Sequence, residues 1–318
     1  MKPVAIYLHI PFCARKCEYC DFASFVRDEA CWAQYLLALE DEINRAARRY
    51  GRLRVSTVYF GGGTPSLLPG DAVMRLTAML RAFFCLDEDA EITVEANPGT
   101  LTPEKLRDYR ASGVNRLSLG AQAGQDALLQ ALGRIHRAAD IGQAVAWARA
   151  AGFANLSLDL MYALPGQSTK DWVETLKMAL ALAPEHLSCY SLIVEPGTPL
   201  ARAVAAGELI PPGEEESLQM QRAAVRILGR RGYQRYEISN YARPGFACRH
   251  NLVYWRRGDY LGLGCAAHSL MDGARFANTA SLDDYLAGRR EVERHVLDEG
   301  EIREEAIMLG TRTAEGID

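Results

Sequence analysis

The sequence carries no excess of either charge: 36 Lys+Arg stand against 40 Asp+Glu, a formal −4 with a pI near 5.9. No global basic field is therefore present to hold nucleic acid or an anionic membrane. No apolar run approaches the roughly 18 residues that a membrane span needs. The start, Met1-Lys2-Pro3 followed by Val4 to Ile10, is too short an apolar stretch for a secretory signal and is cut off by Pro11. The only glycine triplet, Gly61-Gly62-Gly63, is not followed by GK[ST], which excludes a phosphate-binding loop of that kind. These absences place the chain in the cytoplasm, where thiols stay reduced. Its eight cysteines are then expected to be ligands, catalytic groups or core filler rather than disulfides.

What is present is an ordinary globular balance, 49% hydrophobic and 24% charged over 318 residues, enough for two domains or one α/β barrel with an addition. Short β-branched or apolar runs alternate with stretches of three-to-four periodicity. Strands are predicted over 4–9, 55–60, 91–96, 115–119, 154–160 and 186–193, with helices near 31–49, 71–84, 103–112, 125–132, 138–151 and 169–182. Thr102 before Pro103 reads as a helix start, and Ser168 to Asp171 as a capping box. Six β-α units with right-handed crossovers predict an α/β fold, a partial (β/α)6 barrel, over 1–200. A small α+β extension covering the barrel is expected over 201–300, with a helix near 214–231 and strand-like pieces around 233–238 and 252–271. Residues 301–318 read as the start of a further helical domain, cut short.

In such an array, functional groups gather on the loops at the C-terminal ends of the strands. That rim collects Cys13, Cys17 and Cys20 after the first strand, the glycine triplet and Thr64 after the second, Glu95 with Asn97-Pro98 at the third, Gln122 after the fourth and Asp159 at the fifth. Three closely spaced thiols suit one soft centre, zinc, copper(I) or an iron–sulfur cluster. Zinc asks for a fourth ligand, for which His9 and Asp21 are the nearby choices. A four-iron cluster on three cysteines leaves one iron open to a small molecule.

With these residues in view, the sequence resembles the radical S-adenosylmethionine (SAM) superfamily, whose signature is CxxxCxxC. Within it, the chain is similar to the oxygen-independent coproporphyrinogen III oxidase group and its HemW-type heme-chaperone branch. The blocks that carry the likeness are Tyr7 to Cys13, Cys20-Asp21-Phe22, Tyr59 to Ser66, Val94 to Pro98, Ser118 to Gln122, Leu132 to His136, Asp159 to Gln167 and His250 to Trp255. The resemblance implies a [4Fe-4S] cluster on Cys13, Cys17 and Cys20, with SAM chelating the open iron. It also implies SAM contacts from Tyr7, Tyr19, Gly62, Gly63, Thr64, Glu95, Gln122, Arg134 and Asp159. Electron transfer from the cluster to the sulfonium would release methionine and a 5′-deoxyadenosyl radical.

Two departures turn the reading from the oxidase toward the chaperone. The position of a further oxidase cysteine is Phe22, and only twelve residues precede Cys13. The block His250-Asn251-x-x-Tyr254 matches a motif associated with heme binding, and imidazole is a common axial ligand. The resemblance thus implies a chaperone, without oxidase activity, that binds heme as cargo and passes it to hemoproteins such as respiratory enzymes, served by an electron donor and open to homodimer formation. Oxidative decarboxylation of coproporphyrinogen III is the alternative, an unrelated zinc-thiolate protein the third reading, and no residue is assigned a catalytic role. Cys31, Cys85 and Cys189 are expected in the core; Cys248 and Cys265 are expected to stay outside the ligand set. His136, His186 and His295 are expected to be structural.

Overall fold

The computed structural model describes residues 2–317; Met1 and Asp318 lie outside the described residues. Six parallel strands form its centre: β1 (Val4–Ile10), β2 (Arg54–Gly62), β3 (Cys85–Ala96), β4 (Arg116–Gln122), β5 (Leu156–Tyr162) and β6 (His186–Ser191). A helix follows each, and local chemistry sets their ends. Asp28 accepts the Cys31 N–H at 3.0 Å and starts the helix Glu29–Tyr50, which stops at Gly51. Thr102 caps Pro103–Ser112, and Ser168 with Asp171 closes the expected capping box on Thr169–Ala181.

The strands alternate, and the two faces do different jobs. Ile6 and Leu8, Ile92 and Val94, Leu117 and Leu119, and Leu156 and Leu158 are fully buried against the helices, joined there by Tyr35, Leu39, Leu76 and Trp172. Each such side chain contributes about 1.5–3 kcal/mol relative to exposure, so the outer face of the sheet holds the fold together. The inner face is thereby free to be polar.

The sheet does not close. Its order is β12-β11-β10-β9-β1-β2-β3-β4-β5-β6-β8-β7, with β7 (Gln234–Arg235) and β8 (Asn240–Ala242) beside β6. On the other flank, β9 (Tyr260–Leu263) pairs with β1, followed by β10 (His268–Met271), β11 (Ala274–Asn278) and β12 (Glu291–Val296). The strands beyond residue 200 thus extend the barrel sheet at both edges. No helix among the described residues is long and apolar enough to cross a membrane.

Three differences from the boundaries read in the sequence stand out. β3 begins at Cys85, six residues early: Arg54 and Val55 of β2 pair with Cys85 and Leu86, and Arg54 adds two hydrogen bonds to Asp87 at 2.8 and 3.1 Å. The strand-like stretch expected from 252 starts instead inside a helix, Arg249–Trp255. Its first N–H groups end on the Glu91 carboxylate of β3, a cap from a distant element that local pattern does not show. The piece at 233–238 is a strand only over Gln234–Arg235.

Candidate functional site

The cysteine loop leaves β1 at the rim and is closed at its base, where Phe12 bridges Phe25, the Cys13 N–H donates to Phe25 O at 3.0 Å and the Phe25 N–H to Pro11 O at 2.6 Å. Its middle is docked between two other rim segments: the Glu18 N–H donates to Leu132 O, and Glu18 O accepts from the Leu200 N–H. Cys13, Cys17 and Cys20 are half-buried and unpaired. Thr64 Oγ1 lies 3.5 Å from Cys13 Sγ and Arg134 Nη1 3.6 Å from Cys17 Sγ. Burial pushes the Cys20 thiol up, and the neighbouring Cys17 and Cys13 push it in the same direction. Three thiolates facing one another repel unless a cationic centre sits among them, which is the donor chemistry of an iron–sulfur cluster.

Among the described residues no three His, Cys, Asp or Glu side chains close around one point tightly enough for a single metal ion. Of the two suggested fourth zinc ligands, His9 is committed elsewhere and Asp21 is exposed. His9 sits between the Tyr7 hydroxyl at 2.9 Å and Ala23 O at 3.0 Å.

Beside this loop, the ends of β2, β3 and β4 build a polar cradle. Glu95 accepts from the Tyr59 hydroxyl at 2.8 Å and the Gly62 N–H at 3.2 Å; burial pushes its carboxyl up to about 7. Gly62 has φ +112°, and a Cβ there would stand 2.5 Å from the His9 ring, so no larger residue fits without moving it. Gln122 holds φ +63°, a strained position for a non-glycine residue, with its Oε1 buried and unpartnered. Arg134 donates to Gly120 O at 2.8 Å and keeps a buried, unpartnered Nε. A free acceptor and a free guanidinium donor beside the cysteine loop fit an amino-acid-bearing ligand such as SAM. Tyr19, within the loop, packs against the apolar cluster of Leu128, Leu129 and Leu132, its hydroxyl pushed up by burial. Asp159, raised by burial, is held by Ser188 at 2.8 Å, Ser118 at 3.1 Å and Ser157 at 3.3 Å.

Tyr7, Glu95 and Asp159 share one cavity of about 270 Å³ with His250, Asn251 and Tyr254. The motif of the Arg249–Trp255 helix therefore faces the barrel interior. His250 is 1% exposed, with Nδ1 2.8 Å from Thr57 Oγ1 and Nε2 2.8 Å from the Tyr254 hydroxyl. Burial pushes its pKa down to about 3, so the ring is neutral. An iron bond at Nε2 requires the Tyr254 hydroxyl to leave first; in the observed state His250 is an interior, doubly hydrogen-bonded histidine. Cys248 and Cys265 are buried thiols, each pushed up to about 12, against Glu91 and Thr279 O respectively. Cys189 is in the core as expected, while Cys31 and Cys85 are only half-buried. His136 and His186 are interior and hydrogen-bonded, and His295 pairs with Glu301 on the surface.

The same cavity contains residues that rim logic missed: Tyr59, Arg116, His186, Tyr190 and Asn240. A signal for most of them exists. In NRLSL, LSLDL and HLSCYS the polar residues recur every second position, where a parallel strand buried on both faces would be continuously apolar.

The comparisons with known proteins agree with this geometry. The family model of the Radical SAM superfamily matches residues 7–179. The heme chaperone HemW of Synechocystis is 41% identical over 90% of this chain and 70% of its own length, and that of Escherichia coli 39% over 92% and 79%. HemW of Bacillus subtilis is 37% identical over 98% of this chain and 84% of its own. Among solved structures, coproporphyrinogen III oxidase (HemN) from E. coli, a radical SAM enzyme, superposes with a TM-score of 0.87 at 28% identity, covering 98% of this chain and 76% of that one. A thiol trio on the first βα loop, a polar cradle beside it and sustained identity across the barrel place this chain in the radical SAM superfamily and, within it, in the HemW heme-chaperone family.

Proposed function

We propose that the protein is a heme chaperone that takes up heme and passes it to hemoproteins such as respiratory enzymes. The observation that carries this is identity of 37–41% with proteins named heme chaperone HemW, spread over 90–98% of the chain. Cys13, Cys17 and Cys20 would hold the [4Fe-4S] cluster. Arg134 and Gln122 would fix the amino-acid end of SAM, and Glu95 and Asp159 its hydroxyl and ammonium groups. The bound cluster and SAM together supply one-electron chemistry; the chain supplies orientation and a site shielded from bulk water. Arg15, Lys16 and Arg27 are exposed around the cluster loop and suit an electron donor with an acidic face. His250 and Tyr254 would act together on the cargo, with the tyrosine releasing the imidazole.

The test is an anaerobic hemin titration of cluster-loaded protein, followed at the Soret band, beside His250→Ala. Saturable binding that is lost in the variant is the expected result. Absence of binding in both would overturn the chaperone reading. The likeness to HemN supports oxidase chemistry as the second reading. It is tested by incubating the same protein with coproporphyrinogen III, SAM and reductant, where no protoporphyrinogen is expected; Phe22, 63% exposed, stands where the oxidase group has a cysteine.

A further inference from the structure

The lower half of the barrel interior, below the groups assigned above, contains a buried cation whose hydrogen-bond donors are unused. Arg116, the first residue of β4, is 2% exposed, and its Nε and Nη1 are buried without a hydrogen-bond partner. A guanidinium cannot shed its proton, so the group is a permanent buried cation with donors unused. The carboxylates around it are committed to other donors. Glu91 accepts the N–H groups of His250 at 3.0 Å and Arg249 at 3.2 Å, Asp159 is surrounded by serine hydroxyls, and Glu95 is taken by Tyr59 and Gly62. Two further amides line the same space: Asn240 Oδ1 has no partner, and Asn251 Nδ2 has at most a poorly aligned one in the Tyr236 hydroxyl.

We propose that Arg116 and Asn251 form a carboxylate-binding site on the floor of the barrel. A planar two-oxygen acceptor matches the planar guanidinium, and the Asn251 amide adds a donor. Asn240 Oδ1 accommodates a ligand that also carries a hydroxyl or amine. The nearby charges of Glu91 and Asp159 favour a monoanion over phosphate or sulfate. A volume of about 270 Å³ lies below the range of pockets that enclose a drug-sized molecule, about 300–1,000 Å³. It accepts a short organic acid, or the acid arm of a larger molecule whose remainder is held by the His250 side of the cavity and the rim. The site itself stands without the heme reading; only the second source, a propionate arm of heme, rests on it.

Both sources are tested on anaerobic, cluster-loaded protein. The first arm titrates sodium propionate against sodium chloride at matched ionic strength, read by the thermal midpoint and by ¹³C-propionate NMR. The second compares hemin with hemin dimethyl ester at the Soret band. Each is repeated with Arg116→Gln, and with Arg116→Lys, which keeps the charge and loses the fork. If a free acid is the ligand, propionate binding falls at least tenfold in Arg116→Gln and less in Arg116→Lys. If a heme arm is the ligand, the ester binds at least tenfold more weakly than hemin to the native protein and equally to Arg116→Gln. Should Arg116→Gln fail to fold, Arg116→Lys and Asn251→Leu carry the comparison. Propionate that does not bind in an Arg116-dependent way, together with hemin and ester that bind alike, would mean that ordered water alone satisfies the guanidinium and would overturn the proposal. Failure of hemin to bind at all removes the chaperone reading and leaves the propionate arm to decide the site.

Discussion

Gly62→Ala tests whether the glycine triplet holds the cluster loop through His9. Gly62 has φ +112°, where an L-residue pays about 1–2 kcal/mol of backbone strain. The new Cβ would also stand 2.5–2.9 Å from three atoms of the His9 ring. That ring cannot move freely, because Tyr7 and Ala23 O hold its two nitrogens at 2.9 and 3.0 Å. Accommodating the methyl group costs about 1–3 kcal/mol of overpacking, and losing the bond to Ala23, three residues past Cys20, costs about 1 kcal/mol more. The expected total, about 3–6 kcal/mol, is a large part of the 5–15 kcal/mol typical of a whole domain. Gly166→Ala is the control: φ is +75° there, but nothing lies within 4 Å of the added carbon, so it carries strain alone. The assays are the urea midpoint and the iron content per chain of anaerobically reconstituted protein. Gly62→Ala should lower the midpoint well below that of Gly166→Ala and release iron on gel filtration. Equal midpoints with full iron in both would refute the argument that His9 transmits the triplet's geometry to the loop.

Glu95 keeps its proton to about pH 7 in the folded state against an ordinary 4.5, so the native chain binds more protons than the unfolded one between those values. The Glu95 contribution to stability should therefore fall by about 3 kcal/mol as pH rises from 4.5 to 7, against the opposite contribution of His136 and His250, which burial keeps neutral. The stability of the native protein relative to Glu95→Gln should fall by that amount over this range, and a pH-independent difference in urea titrations would sink the assignment. Tyr254→Phe removes the hydroxyl that occupies His250 Nε2, so hemin binding through that nitrogen should tighten, and a weaker Soret titration would show that Tyr254 itself is a ligand. Glu91→Leu strips the cap from the Arg249–Trp255 helix and leaves two buried N–H groups unanswered, at about 1–3 kcal/mol each. Hydrogen exchange over 248–255 should rise well before global unfolding, and unchanged protection would exclude the cap.

The parallel core and its rim were readable because each rests on local rules. Thr102-Pro103 and the Ser168–Asp171 box announce helix starts within four residues, and both occur where the pattern put them. Cys13, Cys17 and Cys20 fall on one loop after β1, as their spacing and the place of that strand put them. What escaped is set by partners far along the chain. Nothing near residue 250 reveals that Glu91, over 150 residues earlier, ends the helix that carries His250, and nothing near Asp87 reveals Arg54. β11 and β12 went unread for a related reason: β12 is exposed along its whole length, so it lacks the buried face that gives a strand its alternation.

The two polar tiers of the barrel differ in the same way. Groups near the C-terminal ends of the strands are found by a topological rule, since loops there converge on one rim. Arg116 and His186 open β4 and β6, and position alone assigns that end of a barrel to stability. The side chains contradict that assignment. A purely stabilising floor would bury Leu or Val there, as the outer face of these strands does, or would pair its charges. Instead the inward positions run Thr57, Glu91, Arg116, Ser157 and His186, and the one guanidinium among them keeps donors unused. Such a floor is costly to fold around, and a ligand entering from above to meet Arg116 would offset part of that cost. The helix with His250, Asn251 and Tyr254 closes this floor, so the motif associated with heme and the orphaned cation border one cavity. Cargo chemistry in this chain is therefore best sought inside the barrel, between the cradle at Glu95 and the guanidinium of Arg116, and with an acid group leading.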